Sequence, residues 1–216
     1  FSDALEESVK DDAISVVVVT GSGDSFCAGN DLKDFLGGPG DITGQSPQAR
    51  LINNLATFPK PLIAAVDGIT VGIGVTMLLH CDIVTASESA KFSFPFASLG
   101  LVPEAGSSLL LPRLVGHHRA AELFLTGEAI DATFAAEIGL INYVAADPYE
   151  KAREIALKIA KQPPQAIINT KALMKANIHD SVAAVMKAEF EIFSLALQSE
   201  ESRRIFEQFL NRKRDK

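Results

Sequence analysis

Glu104 is the carboxylate of this sequence whose surroundings best suit proton transfer. It lies between Pro103 and Ala105 at the end of a stretch, residues 66–106, where its neighbours are apolar or small. A nearly all-apolar helix is predicted to begin at Gly72 in this stretch, and the unpaired N–H groups of such a helix start can hold a developing negative charge. One acid facing one anion-binding turn would support chemistry through an anionic intermediate. On this pattern alone, a solvated loop carboxylate is the alternative.

A second glycine turn occupies residues 28–32 and leads into a short predicted helix. It leaves backbone N–H groups free around Asn30, although an ordinary glycine turn with an Asx cap has the same pattern. Residues 37–47 follow with four glycines and two prolines. This composition predicts a mobile loop that would form a lid over a ligand.

Other site chemistries fit the sequence less well. A glycine pair follows the first predicted strand, as in dinucleotide-binding folds, but the third glycine of that fingerprint would fall on Phe26. Ser107 and Ser108 do not belong to a Gly-x-Ser-x-Gly nucleophile elbow. The histidines are too scattered for a metal site: they are His80, His117, His118 and His179. We therefore expect no metal.

Composition excludes several classes of protein. The chain has 216 residues, 47% of them hydrophobic, and this is enough for a sizeable core. A formal net charge of -7, spread along the chain, argues against nucleic acid as a partner. The apolar runs are shorter than a membrane span, so we expect no membrane insertion. Cys27 and Cys81 have no metal-ligand spacing and are predicted to be free thiols.

The predicted elements change in character along the chain. A strand followed by a glycine turn and a helix occurs three times in the first half, and this recurrence predicts a spiral of strand, strand and helix units rather than a doubly wound sheet. The predicted strands are residues 14–20, 61–67, 83–86 and 91–94, of which the first is expected to be buried on both faces; the main helix is residues 72–81. After Gly116, helices are predicted at residues 118–126, 131–138, 149–161, 164–177 and 181–210. We place a boundary between a core, residues 1–146, and a C-terminal helical region, residues 147–216.

Several separated motifs arrive along the chain in a fixed order. They are Ala28-Gly29-Asn30-Asp31-Leu32, residues 59–68 with Gly72-Ile73-Gly74, then Cys81-Asp82, and residues 134–140. Together they resemble the crotonase (enoyl-CoA hydratase/isomerase) superfamily, and the match covers essentially the whole chain.

This resemblance implies a fold, a ligand and a set of site residues. The fold would be α/β, a crotonase-like ββα spiral with a C-terminal helical trimerisation region, and the assembly a homotrimer or a dimer of trimers. The ligands would be acyl-CoA thioesters, with CoA as part of the substrate and no separate cofactor. The N–H groups of Asn30 and Ile73 would form an oxyanion hole for the thioester oxygen. The implied substrate- and CoA-binding residues are Ala28, Gly29, Asn30, Asp31, Leu32 and Phe96.

The position of the acid distinguishes the reactions of the superfamily. Its hydratases carry two glutamates, which would align with Thr76 and Phe96, so both are missing here. Residues 94–100 followed by Pro103-Glu104 instead resemble the peroxisomal-type Δ3,Δ2-enoyl-CoA isomerases, in which the glutamate that matches Glu104 is the catalytic acid/base. The resemblance thus implies an isomerase that shifts the double bond of 3-enoyl-CoA to 2-trans-enoyl-CoA.

Two alternatives stay open. One is another crotonase activity, such as dienoyl-CoA isomerisation, ring isomerisation or weak hydration; the other is an acyl-CoA-binding protein without activity. Relatives also have a strand hairpin before the position of Phe1, so the sequence is expected to be a fragment or to lack part of the site. The C-terminal residues lack a Ser-Lys-Leu type peroxisomal signal, which favours a bacterial-style cytoplasmic enzyme.

Overall fold

A computed structural model of the chain describes residues 1–36 and 46–214. The predicted loop at residues 37–47 lies outside the described residues except for its end, where Ser46 caps a helix that begins at Pro47. The strands are β1 (Val17–Thr20), β2 (Ser25–Cys27), β3 (Leu62–Val66), β4 (Ile69–Val71), β5 (Ile83–Ala86), β6 (Lys91–Ser93), β7 (Ile130–Asp131) and β8 (Tyr143–Val144). The helices are α1 (Ser2–Lys10), α2 (Leu32–Leu36), α3 (Pro47–Thr57), α4 (Ile73–Thr76), α5 (Ser107–Val115), α6 (His117–Thr126), α7 (Ala132–Glu137), α8 (Pro148–Ala160), α9 (Pro164–Ala176), α10 (His179–Leu197) and α11 (Glu200–Arg214).

The strands form two sheets of four. One sheet has the order β1-β3-β5-β8 and is parallel, whereas the other has the order β2-β4-β6-β7, with β7 antiparallel to β6. The first six strands therefore alternate between the sheets, so that each of the pairs β1–β2, β3–β4 and β5–β6 adds one strand to each sheet before the chain turns into a helix. The last two strands, β7 and β8, join different sheets and are separated by α7. This arrangement confirms the predicted spiral of strand, strand and helix units.

The first sheet shows why its central strand is wholly apolar. All five residues of β3 are buried, because Ile63 and Ala65 pack with Ala152 of α8 while Leu62 faces the main core. The expectation that residues 14–20 are buried on both faces was wrong. Only Val17–Thr20 is a strand, and it is half-buried because it lies at the edge of the described sheet with β3 as its neighbour.

Two helix predictions also need correction. Residues 72–81 form the short helix α4 and then a 3-10 turn, Met77–His80, that directs His80 toward the Glu104 loop, where its ring nitrogen lies 2.7 Å from the Ala105 carbonyl oxygen. The single helix predicted at residues 181–210 is two helices, α10 and α11. A new helix begins there because the Ser199 hydroxyl accepts a hydrogen bond from Ser202 N at 3.1 Å and so caps the start of α11. None of the described helices is long and apolar enough to cross a membrane.

A buried ion pair attaches the C-terminal helices to the first sheet. Lys171 Nζ on α9 donates to Asp82 Oδ2 at 2.6 Å and to Lys60 O at 2.7 Å. The same carboxylate oxygen accepts the N–H of Leu62 at 2.8 Å. The side chains of Lys171 and Asp82 are only 5% and 17% exposed, so this network is shielded from water. The division between residues 1–146 and 147–216 stays a prediction, although this pair and α8 both join the two parts.

Replacing Lys171 with methionine is expected to lower the free energy of unfolding by about 3–5 kcal/mol, because it leaves the Asp82 carboxylate buried without its cation. Urea unfolding of the variant measures this loss. Lys161→Met, on an exposed lysine just after α8, is the matched control and should have little effect. A Lys171→Met protein as stable as the control would show that the pair does not stabilise the fold.

Candidate active site

A cavity of about 680 Å³ lies between α3, α10 and the loop that precedes α5. Among the residues that line it are Asn30, Glu104, Ala105, Met186 and Phe190. Most of the lining surface is apolar, so the cavity suits a ligand with an apolar part. Glu104 and Asn30, two of the residues predicted to act in a site, thus face one cavity.

The Glu104 carboxyl is half-buried and hydrogen-bonded to α4. Thr76 Oγ1 donates to its Oε1 at 3.0 Å. Burial raises the pKa of Glu104 to about 7; the Thr76 hydrogen bond opposes this rise, and the nearby negative charge of Glu189 adds to it. A carboxyl group with such a pKa exchanges protons readily near neutral pH.

The backbone around Glu104 is unusual. Ala105 has φ 62, a left-handed conformation that costs an alanine about 1–2 kcal/mol, and Gly106 follows with φ 71. The His80 ring holds this turn from the side of α4. Burial lowers the pKa of His80 to about 4, so the ring is neutral and its Nε2–H donates to the Ala105 carbonyl.

The two predicted anion-binding turns are in contact. Gly29 has φ 88, and a Cβ there would lie 3.0 Å from Val71 O; Gly72 has φ 59, and its Cβ would lie 4.0 Å from Gly29 Cα. Asn30 and Ile73 directly follow these glycines. Within residues 1–36 and 46–214, neither of their N–H groups has a hydrogen-bond acceptor. Ile73 is not itself a lining residue of the cavity, but it begins the helix whose Thr76 binds Glu104.

The other predicted binding residues have different surroundings. Of residues 28–32, only Asn30 is among those lining the cavity; Asp31 Oδ1 accepts the N–H of Lys33 at 3.0 Å and so caps α2, and Leu32 packs against the core. The structure does not bring Phe96 to the cavity. Its side chain is 5% exposed and packs beside the Phe124 ring, with 6.5 Å between the ring centroids.

Two residues at the site were missed as participants from the sequence. Thr76 was considered only as a position without a glutamate, and nothing local indicates its bond to Glu104. Glu189 on α10 is 6% exposed, and its Oε2 and Oε1 accept the N–H groups of Gly106 and Ser108 at 2.6 and 2.8 Å. A signal did exist, because Glu189 continues the helical spacing of the inward-facing Val182 and Met186.

Two cysteines, one cavity-lining lysine and the possible metal ligands bear on other chemistries in the described part of the chain. Cys27 and Cys81 are free thiols, as predicted, and burial raises the pKa of Cys81 to about 12, so its thiol stays protonated. Lys175 lines the cavity, and its buried Nζ has no hydrogen-bond partner among the described residues; burial lowers its pKa. Among the residues that the structure describes, no three His, Cys, Asp or Glu residues are grouped so that they could hold a metal ion.

The chain thus combines a spiral of strand pairs with two adjacent glycine turns and a half-buried carboxyl group, Glu104, in the lining of an apolar cavity. The family model described as "Enoyl-CoA hydratase/isomerase" matches residues 1–216. The chain therefore belongs to the enoyl-CoA hydratase/isomerase family, as the sequence motifs implied.

The relatives of this chain are named for different activities. The chain is 40% identical to 1,2-epoxyphenylacetyl-CoA isomerase of Escherichia coli over 171 residues, which are 76% of this chain and 65% of that protein. It is 35% identical to enoyl-CoA delta isomerase 2 of Rattus norvegicus over 217 residues, 97% of this chain and 55% of that protein. The chain thus spans less than two thirds of the length of these two relatives. Hydratases occur among the relatives as well.

Solved structures confirm the fold. Pseudomonas aeruginosa OdaA superposes with a TM-score of 0.92 at 42% identity, covering 96% of this chain and 85% of that one. The α/β crotonase-like spiral is therefore the fold of this chain.

Proposed function

We propose that this protein is a Δ3,Δ2-enoyl-CoA isomerase, which converts 3-enoyl-CoA to 2-trans-enoyl-CoA. The observation that carries the proposal is the Glu104 carboxyl itself. It faces an apolar cavity, has a pKa of about 7, and is held by a threonine at a position where hydratases of the family carry a glutamate. The name of the rat relative supports the same activity.

The reaction needs one group that both removes and returns a proton. The Glu104 carboxylate takes a proton from C2 of the substrate. The electron pair of that C–H bond forms a C1=C2 bond, and the C=O pair of the thioester moves onto oxygen to give the dienolate. When the thioester C=O bond re-forms, the C1=C2 pair becomes the new C2=C3 bond, and the C3=C4 pair takes the proton of the Glu104 carboxylic acid at C4. The proton stays within the enzyme–substrate complex, so the reaction balances without an added cofactor.

The intermediate is a dienolate whose charge lies largely on the thioester oxygen. In the proposed site, the N–H groups of Asn30 and Ile73 donate to that oxygen. Main-chain donors that are already aimed at the developing charge need no reorganisation during the reaction, and their effect is larger in an apolar site than in water. The contact between the Gly29 and Gly72 turns supports this pairing because it holds the two amides on neighbouring turns.

Hydration is a weaker candidate because it requires one group to activate water and another to deliver a proton to carbon. Thr76 and Phe96 replace the two hydratase glutamates. Glu189 also lines the cavity, but both of its oxygens accept main-chain hydrogen bonds. Hydration would therefore lack the second catalytic carboxylate, whereas isomerisation needs only Glu104, which is bonded to Thr76 of α4.

A direct test incubates the purified protein with a 3-enoyl-CoA in D₂O. We expect the absorbance of a conjugated 2-enoyl thioester to appear, with deuterium exchange at C2 and C4. Parallel assays with 2-enoyl-CoA and dienoyl-CoA substrates separate isomerisation from hydration and from dienoyl-CoA isomerisation. Tight acyl-CoA binding without any exchange would reject the isomerase and favour a binding protein.

Isomerisation should fall as the pH drops through about 7, because the base must be ionised to take the first proton. Thr76→Val removes the hydrogen bond that lowers the pKa of Glu104, so the acid limb of kcat/KM is expected to move to higher pH. The loss of kcat/KM in Thr76→Val should be greatest at acidic pH. It should vanish at a pH well above the pKa of Glu104 in both the wild-type protein and the variant. A profile of kcat/KM from pH 5 to 9 measures the shift. Thr170→Val, which removes a hydroxyl bonded to its own helix on α9, is the control; identical profiles for both variants would contradict the proposed role of Thr76.

We also propose that the protein acts as a homotrimer or a dimer of trimers in the cytoplasm. Large apolar side chains are exposed on the C-terminal helices, among them Leu173 and Met174 on α9 and Leu195 on α10. An exposed apolar face of this kind suits contact with further copies of the chain. A molar mass in solution equal to the 23.1 kDa of one chain would reject this assembly.

A further inference from the structure

Glu189 joins α10 to the loop that carries Glu104. Gly106 is the N-cap of α5 and offers no side chain to bind the free N–H groups of the first turn. The Glu189 carboxylate supplies what is missing, since it binds the N–H groups of Gly106 and Ser108 from a position 83 and 81 residues later in the chain. A carboxylate at a helix N-terminus is also favoured by the helix dipole.

The same contact fixes a strained turn. Ala105 and Gly106 are both left-handed, and such a conformation persists in alanine only when the surroundings hold it. His80 holds the Ala105 carbonyl on one side, and Glu189 holds the next N–H on the other. Glu104 directly precedes Ala105, so the turn determines where its carboxyl points.

The helix α10 fits closely over this turn. A Cβ at Gly106 would lie 3.2 Å from Val182 Cγ1 and 3.4 Å from Met186 Cγ, so the close approach depends on a glycine there. Val182 and Met186 also line the cavity. Glu189 is thus the polar anchor of the apolar helix face that covers the ligand space.

Glu189 also acts on Glu104 through its charge. Its negative charge raises the pKa of Glu104, in addition to the larger effect of burial. The other titratable groups that line the cavity are His80, which is neutral, and Asp34, Lys175, His179, Lys187 and Glu191; none of these is among the causes of the shift in the Glu104 pKa. Burial raises the pKa of Glu189 itself, while its bonds to Ser108 and Gly106 stabilise the carboxylate.

We propose that Glu189 is a positioning residue of the active site, which fixes the Glu104 turn and covers the cavity through one carboxylate. The proposal rests on the proposed isomerase function, in which Glu104 must meet both C2 and C4 of the substrate. A displacement of about 1 Å in such a group can cost as much as 10²-fold in rate. Both oxygens of Glu189 bind main-chain N–H groups, so in this proposal it acts on Glu104 through the backbone of residues 104–108 and through its charge.

The test compares Glu189→Gln and Glu189→Ala with Glu201→Gln, a control on the exposed surface of α11. Glutamine keeps the shape and one acceptor oxygen but removes the charge. We expect Glu189→Gln to move the acid limb of the pH profile to lower pH, and Glu189→Ala to lower kcat by up to about 10²-fold with a smaller change in KM. Glu201→Gln should match the wild-type protein.

Three results would overturn the proposal: unchanged kcat and pH profile in Glu189→Gln, an effect confined to KM, or a loss of thermal stability in both variants without a shift of the acid limb. The last pattern would mark a purely structural residue. Failure of the proposed isomerase function can be told apart from failure of this proposal, because the wild-type protein would then have no isomerase activity. In that case, the positioning role of Glu189 is tested by NMR titration of the Glu104 carboxyl and by hydrogen exchange at Gly106 and Ser108 in Glu189→Gln. An unshifted titration with unchanged exchange rejects the positioning role.

Discussion

The Glu104→Gln protein is expected to lose isomerisation by about 10²- to 10⁴-fold, the usual contribution of a general acid/base, while it still binds acyl-CoA. Glutamine has the size of the glutamate and keeps an oxygen that can accept the Thr76 hydroxyl, so the loop and the cavity should retain their shape. What the variant loses is the ability to take a proton from C2 and return it at C4.

Two measurements check this expectation together. The appearance of the conjugated thioester gives the rate, and calorimetric titration with a saturated acyl-CoA gives the affinity. Glu201→Gln serves again as the control for a lost surface charge. Turnover of a 3-enoyl-CoA at the wild-type rate by Glu104→Gln would show that a different group moves the proton. A loss of both activity and binding would show instead that the cavity has changed shape.

Replacing Ile73 with proline is expected to lower kcat by about 10²- to 10³-fold, the typical effect of removing one oxyanion-hole donor. Ile73 is the first residue of α4, and proline is well tolerated at that position because its fixed φ suits a helix start. The substitution therefore deletes the N–H group while preserving the local backbone. A loss concentrated in kcat would mean that the donor acts mainly on the dienolate.

Ile73→Ala is the matched control, since it removes the side chain but keeps the N–H group. We expect Ile73→Ala to retain most of its activity and Ile73→Pro to lose it, with similar far-ultraviolet circular dichroism for both. Equal rates in the two variants would exclude the Ile73 amide as a donor. Equal and severe losses would assign the effect to the side chain or to the fold.

The spiral could be predicted from sequence because its signals are local. Turns at Gly29 and Gly72 follow β2 and β4, and these glycines mark backbone conformations that few other residues adopt. Short apolar strands also alternate with helices at regular intervals. The edge position of β1 had no such signal, because an apolar run looks the same at the edge and in the centre of a parallel sheet.

The site was less predictable because its contacts join distant parts of the chain. The bond from Thr76 to Glu104 spans 28 residues, and the bond from Gly106 to Glu189 spans 83. Neither follows from spacing along a helix or strand. The binding role of Phe96, which the alignment with a catalytic position of relatives suggested, stays a prediction, and its ring packs in the core beside Phe124.

The glycine turns at residues 29 and 72 have a consequence for how new reactions can arise on this scaffold. The amides that follow them belong to the peptide backbone, and exchange of the residues around the cavity leaves such donors in place. In the proposed mechanism, substitutions at positions such as 76, 104 or 189 would therefore change which carbon atom is protonated and leave the proposed donors to the enolate oxygen in place. Engineering of this chain toward other acyl thioester chemistry should accordingly begin with its acids and preserve these two bends.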